Sequence, residues 1–368
     1  MQTDKRKRRV LMAMSGGVDS SLAAALLQEE GYQVIGVTMR LWHSPEDQSE
    51  AEGRGRGCCA LEAVEDARQV AARLNIPYYV VNYEEPFYRQ VVSYFIREYQ
   101  AGRTPNPCIA CNRYMKFDLL LKKARELEAD YVATGHYARR AYDEETGRHL
   151  LRKSADNKKD QTYTLYHMNQ DQLARALFPL GPFEKEETRE KARALGLRVA
   201  GKPDSQEICF IPDDDYKGFL ESETGSTYKP GPIFNTRGER LGTHRGIPFY
   251  TIGQRKGLGL AVGEPLYVVA MDVNKNSLVV GTREETASRG LWASDLNFIP
   301  FESLDTPLEV SIKIRYRSPE KGALVHPPEE GEARVEFAEP LHAVTPGQAV
   351  VFYRGDLLVG GGVIQRSF

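Results

Sequence analysis

The chain has 368 residues, too many for one ordinary core, so two or three domains are expected. Its 41% hydrophobic and 27% charged residues are those of a soluble globular protein, and no apolar run is long enough to span a bilayer. A net charge of −2 excludes a global attraction to nucleic acid and leaves that to local basic clusters, Lys5 to Arg9 and Lys153, Lys158 and Lys159. The basic start, MQTDKRKRRV, is followed by no signal-peptide core, so a cytosolic, cytoplasmic protein without membrane partners is expected. Five cysteines, an odd number, argue against a disulfide framework and for thiol or metal chemistry in a reducing compartment.

In chain order, Val10 to Met14 read as a buried strand. The run Ala13-Met14-Ser15-Gly16-Gly17-Val18-Asp19-Ser20 then leads into an alanine- and leucine-rich helix from Ser20. Gly16 and Gly17 permit backbone angles that side chains forbid, and the freed amides and positive helix end converge on one anion. This is a phosphate-binding loop. It lacks Walker spacing, and it holds no lysine to reach a terminal phosphate. Downstream, YQVIGVTM, EAVEDARQVAARLN, IPYYVVNY and KFDLLLKKARELEADYVATG alternate strand and amphipathic helix to about Arg140, the pattern of a parallel sheet with helices on both faces. Ligands of such sheets sit at the carboxyl ends of the strands, where the glycine loop, Met39 and Gly135-His136 all fall. The polar stretch between Leu41 and Cys58 reads as a loop beside the nucleotide that a ligand would order.

TPNPCIACN, residues 104 to 112, carries Cys108 and Cys111 in a CxxC, and its prolines are expected to stiffen an exposed loop that brings the two thiols together. Cys58 and Cys59 read as structural or incidental, since adjacent residues seldom direct both side chains to one site. Residues 181 to 206 carry a further helix, KEETREKARALGL, and Cys209 follows DSQEI at an apparent domain junction. Beyond it the texture becomes rich in glycine, proline and turn signals, as in a small β-rich domain. From about Gly290, short strand-like runs recur and suggest a terminal β-barrel. The expected division is an α/β parallel-sheet domain at 1–210, a small β-rich domain at 211–287, and a β-barrel at 288–368.

SGGVDSS, TPNPxxxCNxxxKF, TGHYAR, KDQTYTLY, DSQEICFI and GIPFYTIGQRKGLG, in that order and over nearly the whole chain, closely resemble the tRNA-uridine 2-sulfurtransferases, the bacterial 2-thiouridylases of the PP-loop ATP pyrophosphatase superfamily. The resemblance implies adenylation of the C2 oxygen of a wobble uridine and its replacement by sulfur. It implies Cys111 as nucleophile and Cys209 as the persulfide-bearing thiol. Ala13 to Ser20, Met39 and Gly135 would hold ATP, with Asp19 orienting Mg²⁺ or capping the helix. Asn106, Pro107 and Cys108 match the strip that contacts the target base, and His136 would sit near the reacting phosphate or base. Lys159, Asp160 and Gln161 match a tRNA-contact tripeptide, Arg315 and Tyr316 a second contact in the barrel, and Gln348 a position near the flipped base. The implied partners are tRNAs of the lysine, glutamate and glutamine types and a sulfur donor, either a cysteine desulfurase or a sulfur carrier.

One position departs from the resemblance. Many relatives carry aspartate where this chain has Cys108, and a thiol serves as general base only if its pKa is low. The substitution leaves two chemistries open. One is a persulfide relay through Cys111 and Cys209; the other is a three-cysteine [4Fe-4S] cluster on Cys108, Cys111 and Cys209 that delivers hydrosulfide from its open iron. Two further readings are a PP-loop ligase acting on a small molecule, and a non-catalytic iron-sulfur or RNA-binding regulator. Neither ligase chemistry nor the nucleotide loop accounts for the three thiols and the barrel.

Overall fold

The computed structural model describes residues 8–42, 61–204, 208–211, 215–261 and 263–368. Cys58, Cys59, Lys5 and most of the polar loop after Leu41 lie outside the described residues. The chain forms two compact units, the first from residues 1–91, 108–214 and 356–358, the second from 92–107, 215–355 and 359–368.

The first unit is built on a parallel sheet. β1 (Arg9–Ala13) is followed by α1 (Val18–Glu29), β2 (Gln33–Arg40), α2 (Leu61–Leu74), β3 (Tyr78–Asn82) and the short α3 (Glu84–Phe87). Val10, Leu11 and Met12 are fully buried, because β1 is a central strand covered on both faces. α1 is apolar around most of its circumference; Leu22, Ala23, Ala24 and Leu27 join Ala192, Leu197 and Val199 in one core. α2 buries Ala63, Val64, Ala67, Val70 and Ala71, a helical stripe with its charged side in water. Each leucine-sized side chain so buried contributes about 1.5–3 kcal/mol.

The sheet order is β3-β2-β1-β4-β7, all parallel, with β4 at Tyr131–Ala133 and β7 at Ala176–Leu177. The chain winds outward from β1 to β2 on one side and to β4 on the other. This is a topological switch point, and it opens a crevice between the loops that follow β1 and β4.

Between those strands lie α5 (Pro107–Ala110), a π-helix (Cys111–Leu119) and α6 (Leu120–Glu126). After β4 the chain makes an antiparallel hairpin, β5 (Ala138–Asp143) and β6 (Arg148–Lys153), that the sequence reading did not anticipate. The free side of β6 pairs with Leu357 and Leu358, and Asp356 beside them takes salt bridges from Arg139 at 3.0 Å and Arg152 at 2.6 Å. α7 (Gln170–Arg175) and α8 (Lys185–Ala194) complete this unit.

The second unit begins with α4 (Ser93–Gln100), whose Phe95 and Tyr99 pack on Phe219 and Tyr216 of α9 (Tyr216–Thr224). A four-stranded sheet, ordered β10-β11-β8-β9, surrounds a core of Ile233, Phe249, Val268 and Val280. Its strands are Gly231–Asn235 (β8), Arg240–His244 (β9), Tyr267–Asp272 (β10) and Ser277–Gly281 (β11). The last six strands are Ala287–Phe298 (β12), Leu308–Lys313 (β13), Lys321–Val325 (β14), Ala333–His342 (β15), Ala349–Arg354 (β16) and Leu357–Ser367 (β17). They run β12-β15-β14-β13-β16-β17, and a β12–β17 pairing closes them into a barrel around Val310, Ile312, Val335 and Phe352.

Candidate active site

The loop after β1 is fixed at its entry. Met14 donates from its amide to Val37 O at 2.8 Å, and its carbonyl accepts from Thr38 Oγ1 at 2.6 Å, which in turn accepts from the Tyr78 hydroxyl at 2.7 Å. Gly16 has φ +71°, and a Cβ there would strike the Ala63 carbonyl, so glycine is required on two counts. Ser20 Oγ accepts from the Ser15 amide at 3.1 Å, and Ser21 Oγ donates to Gly17 O at 2.8 Å. Gly17 is the N-cap of α1 and supplies no side-chain cap, so the first amides of the helix are left for an anion.

Gly135, in the loop after β4, approaches the same helix start so closely that a Cβ would lie 2.8 Å from the Ser20 amide nitrogen. The two loops on either side of the switch point therefore meet at α1. Met39 is buried at the carboxyl end of β2, in register with Val81.

Asp19 makes no cap hydrogen bond on α1, whose N-cap is Gly17; its carboxylate meets Lys185 and Tyr137. Lys185 Nζ lies 2.7 Å from its Oδ1 and 2.8 Å from its Oδ2, and the Tyr137 hydroxyl donates to Oδ1 at 2.9 Å. Lys185 comes from the first turn of α8, and only 7% of its side chain is exposed. It also meets Asp204 Oδ1 at 2.8 Å, and Asp204 takes Lys159 at 2.7 Å and Arg189 at 2.9 Å. Burial alone would raise the Asp204 carboxyl, but the hydrogen bonds and charges of Lys159 and Lys185 outweigh it and bring it down to about 2. Burial, and then the Asp19 charge, push the Tyr137 phenol well up, so it remains a hydrogen-bond donor. The cation that meets the glycine loop's carboxylate thus comes from 166 residues downstream. Only a lysine in an otherwise acidic first turn (KEET) hinted at it.

Cys108 and Cys111 lie on helix, not on an exposed loop as the prolines suggested. Pro107 opens α5, where its fixed φ and missing N–H are harmless, and the π-helix begins at Cys111. Cys108 touches solvent and yet has protein on most sides; this desolvation pushes its thiol up, and the nearby Lys116 ammonium opposes the shift. Such a thiol is a poor general base. Asn112, next to Cys111, donates to Thr164 O at 3.1 Å.

His136 is buried beside Phe117 and Phe178, its Nδ1 2.7 Å from Thr134 Oγ1. Desolvation, with Lys116 and His167 adding to it, drives its imidazole well below the ordinary value, so it is neutral at pH 7.

Cys209 lies in a turn closed by the Ile211 amide on Ile208 O at 3.0 Å. The next residue, Phe210, is buried against Phe87 at 5.6 Å and Trp42 at 6.0 Å between ring centroids. None of Cys108, Cys111 and Cys209 is in a disulfide. Among the described residues no group of three or more His, Cys, Asp and Glu side chains is placed to hold a metal ion.

The remaining candidates have internal partners. Asp160 accepts from the Ser154 amide at 3.1 Å and the Thr162 hydroxyl at 2.6 Å, and Gln161 Oε1 accepts from the Tyr137 amide at 2.9 Å. With Lys159 on Asp204, this tripeptide braces the Tyr137–Asp204 network. In the second unit, Arg315 and Tyr316 sit in the turn after β13. Arg315 donates to Ala343 O at 2.7 Å and Thr345 Oγ1 at 2.9 Å, and Lys313 lies over the Tyr316 ring at 5.9 Å. Gln348 donates to Thr104 O at 2.9 Å and Pro105 O at 3.2 Å, fixing the strip that leads to Asn106 and Pro107.

Residues 8–213 match the family described as tRNA methyl transferase HUP domain, 217–282 the tRNA methyl transferase PRC-barrel domain, and 288–364 the aminomethyltransferase beta-barrel domain. The chain is 57% identical over 355 residues to the tRNA-specific 2-thiouridylase MnmA of Moorella thermoacetica, covering 96% of this chain and 99% of that protein. It is 54% identical over 360 residues to the protein of the same name from Acetivibrio thermocellus, covering 98% and 99%. Among solved structures, a 4-thiouridine synthetase–RNA complex with bound ATP aligns at TM-score 0.37 and 21% identity, over 59% of this chain and 50% of that one.

Proposed function

The chain belongs to the bacterial tRNA-specific 2-thiouridylase family, and from that premise we propose that it is an ATP-dependent tRNA-uridine 2-sulfurtransferase. The observation that carries the chemistry is that three reduced thiols, Cys108, Cys111 and Cys209, belong to the same folded unit as the phosphate loop. The uncapped amides at the start of α1 hold the ATP phosphates at the positive end of the helix. The C2 oxygen of the wobble uridine attacks the α-phosphate, and pyrophosphate leaves with the bonding pair. C2 is now electrophilic.

Sulfur reaches it from a persulfide on Cys209. In one order, the terminal sulfur attacks C2, AMP departs, and the Cys111 thiolate then takes the Cys209 sulfur into a Cys111–Cys209 disulfide, leaving 2-thiouridine. In the other, Cys111 attacks the persulfide first and the released hydrosulfide attacks C2. Both consume one ATP and one persulfide sulfur and end with the same disulfide. A second reading keeps the three thiols as ligands of a [4Fe-4S] cluster, and the metal-free assay below separates it from the relay. Asp19, whose carboxylate keeps acceptor capacity beyond its contacts with Lys185 and Tyr137, would hold Mg²⁺ on the pyrophosphate.

In this reading the tRNAs are those of the lysine, glutamate and glutamine types, the donor is a cysteine desulfurase or sulfur carrier, and the reaction belongs in a reducing cytoplasm. A small-molecule ligase would need the loop but neither Cys111 nor Cys209. The deciding assay supplies metal-free protein with unmodified tRNA, ATP and a persulfide donor. Wild type is expected to form 2-thiouridine, and Cys111→Ser and Cys209→Ser to lose it while still releasing pyrophosphate when tRNA is present. Thiolation retained in either variant would sink the relay.

A further inference from the structure

Lys116 lies on the π-helix that starts at Cys111. In such a helix the backbone closes from i+5 to i, as the Leu120 amide does on Met115 O, so the residue five positions on stands about one turn further along the same side. Lys116 therefore shares the face of Cys111. Its neighbour Phe117 is buried against the His136 ring at 6.2 Å between centroids, and Gly135, next to His136, abuts Asp19 and Ser20 at the start of α1. The lysine is thus tied through its neighbours to both the thiols and the phosphate loop. It is half-buried, and among the described residues it makes no hydrogen bond and no ion pair. Its charge is felt by Cys108 and by His136, and His136 is neutral, so neither supplies a counter-ion at pH 7.

Among the described residues this half-buried ammonium meets no anion, and the anionic substrate can supply one. Of the anions that the reaction brings, the phosphate that becomes esterified to the uridine is the one held between the phosphate loop and the thiols, the two parts that Lys116 adjoins. We propose that Lys116 contacts the α-phosphate of the adenylated uridine, from its formation until AMP departs. During departure the C2–S bond forms and the C2–O bond breaks, its electron pair leaving on the phosphate oxygen. The Lys116 ammonium meets that growing charge without giving up a proton.

This assignment rests on the functional reading above, and the test separates the two. Full-length protein, unmodified tRNA and ATP are mixed, and pyrophosphate release and 2-thiouridine formation are followed for wild type, Lys116→Met and Lys116→Arg, with thermal melts as a folding check. Lys116→Met is expected to slow pyrophosphate release and thiolation together by about 100-fold or more, the scale for losing one preorganised electrostatic contact, with Lys116→Arg recovering most of both. Pyrophosphate released at the wild-type rate by Lys116→Met would overturn the assignment, whether or not thiolation was lost, since a lysine serving only sulfur would act after that step. A wild-type protein that releases no pyrophosphate with tRNA would sink the functional reading and this assignment together.

Discussion

Lys185 reaches Asp19 across 166 residues of chain and lies within 2.8 Å of both its carboxylate oxygens. The same ammonium also holds Asp204, so one buried cation connects the start of α1 with the segment that leads to Cys209.

Replacing Lys185 by methionine leaves two partly buried carboxylates facing one another without their shared cation. The expected cost is about 2–4 kcal/mol, read as a lowered midpoint in urea, together with weaker ATP binding. A loss below about 0.5 kcal/mol would mean that Arg189 and Lys159 suffice.

Asp204 gives an acid limit whose sign is fixed by its shift. Its folded value, about 2, lies below the ordinary 3.8, so the stabilisation is complete above pH 3.8 and is lost as pH falls from there through about 2. An Asp204→Asn protein should be less stable than wild type at pH 7, and the gap should narrow over that window. A gap that stays constant from pH 5 to pH 2.5 would contradict the ion-pair account.

Gly135→Ala adds a methyl group 2.8 Å from the Ser20 amide nitrogen and 2.9 Å from Asp19 C. The loop after β4 or the first turn of α1 must move, at about 1–3 kcal/mol, and the anion-binding amides move with it. ATP affinity measured by calorimetry should fall at least about tenfold. Unchanged affinity would show that the loop yields without disturbing the helix.

The parts legible from sequence are those whose cause is local. The glycine loop, the apolar strands Val10 to Met14 and YQVIGVTM, and the α2 stripe carry their period and turn chemistry in adjacent residues, and each forms where expected. Cys108 and Cys111 were legible as a pair, but Pro105 and Pro107 suggested loop where Pro107 in fact opens a helix. The partners of Asp19 were not legible, because nothing near Lys185 signals which carboxylate it will meet. Lys159 shows the converse, since nothing in its polar run signals an ion pair 45 residues away. A basic residue in a polar run looks available until its distant partner, Asp204, is known.

The pairing of β6 with Leu357 and Leu358 bears on how the protein is made. A ribosome presents the nucleotide-binding segment before the barrel, yet one edge of its hairpin has no partner until Leu357 and Leu358 have been translated. During that interval β6 exposes an open strand edge, the kind that recruits other chains. Synthesis stopped near residue 210 would make this exposure permanent, so the catalytic segment is not a part that evolution or a cloning experiment can lift out unaltered.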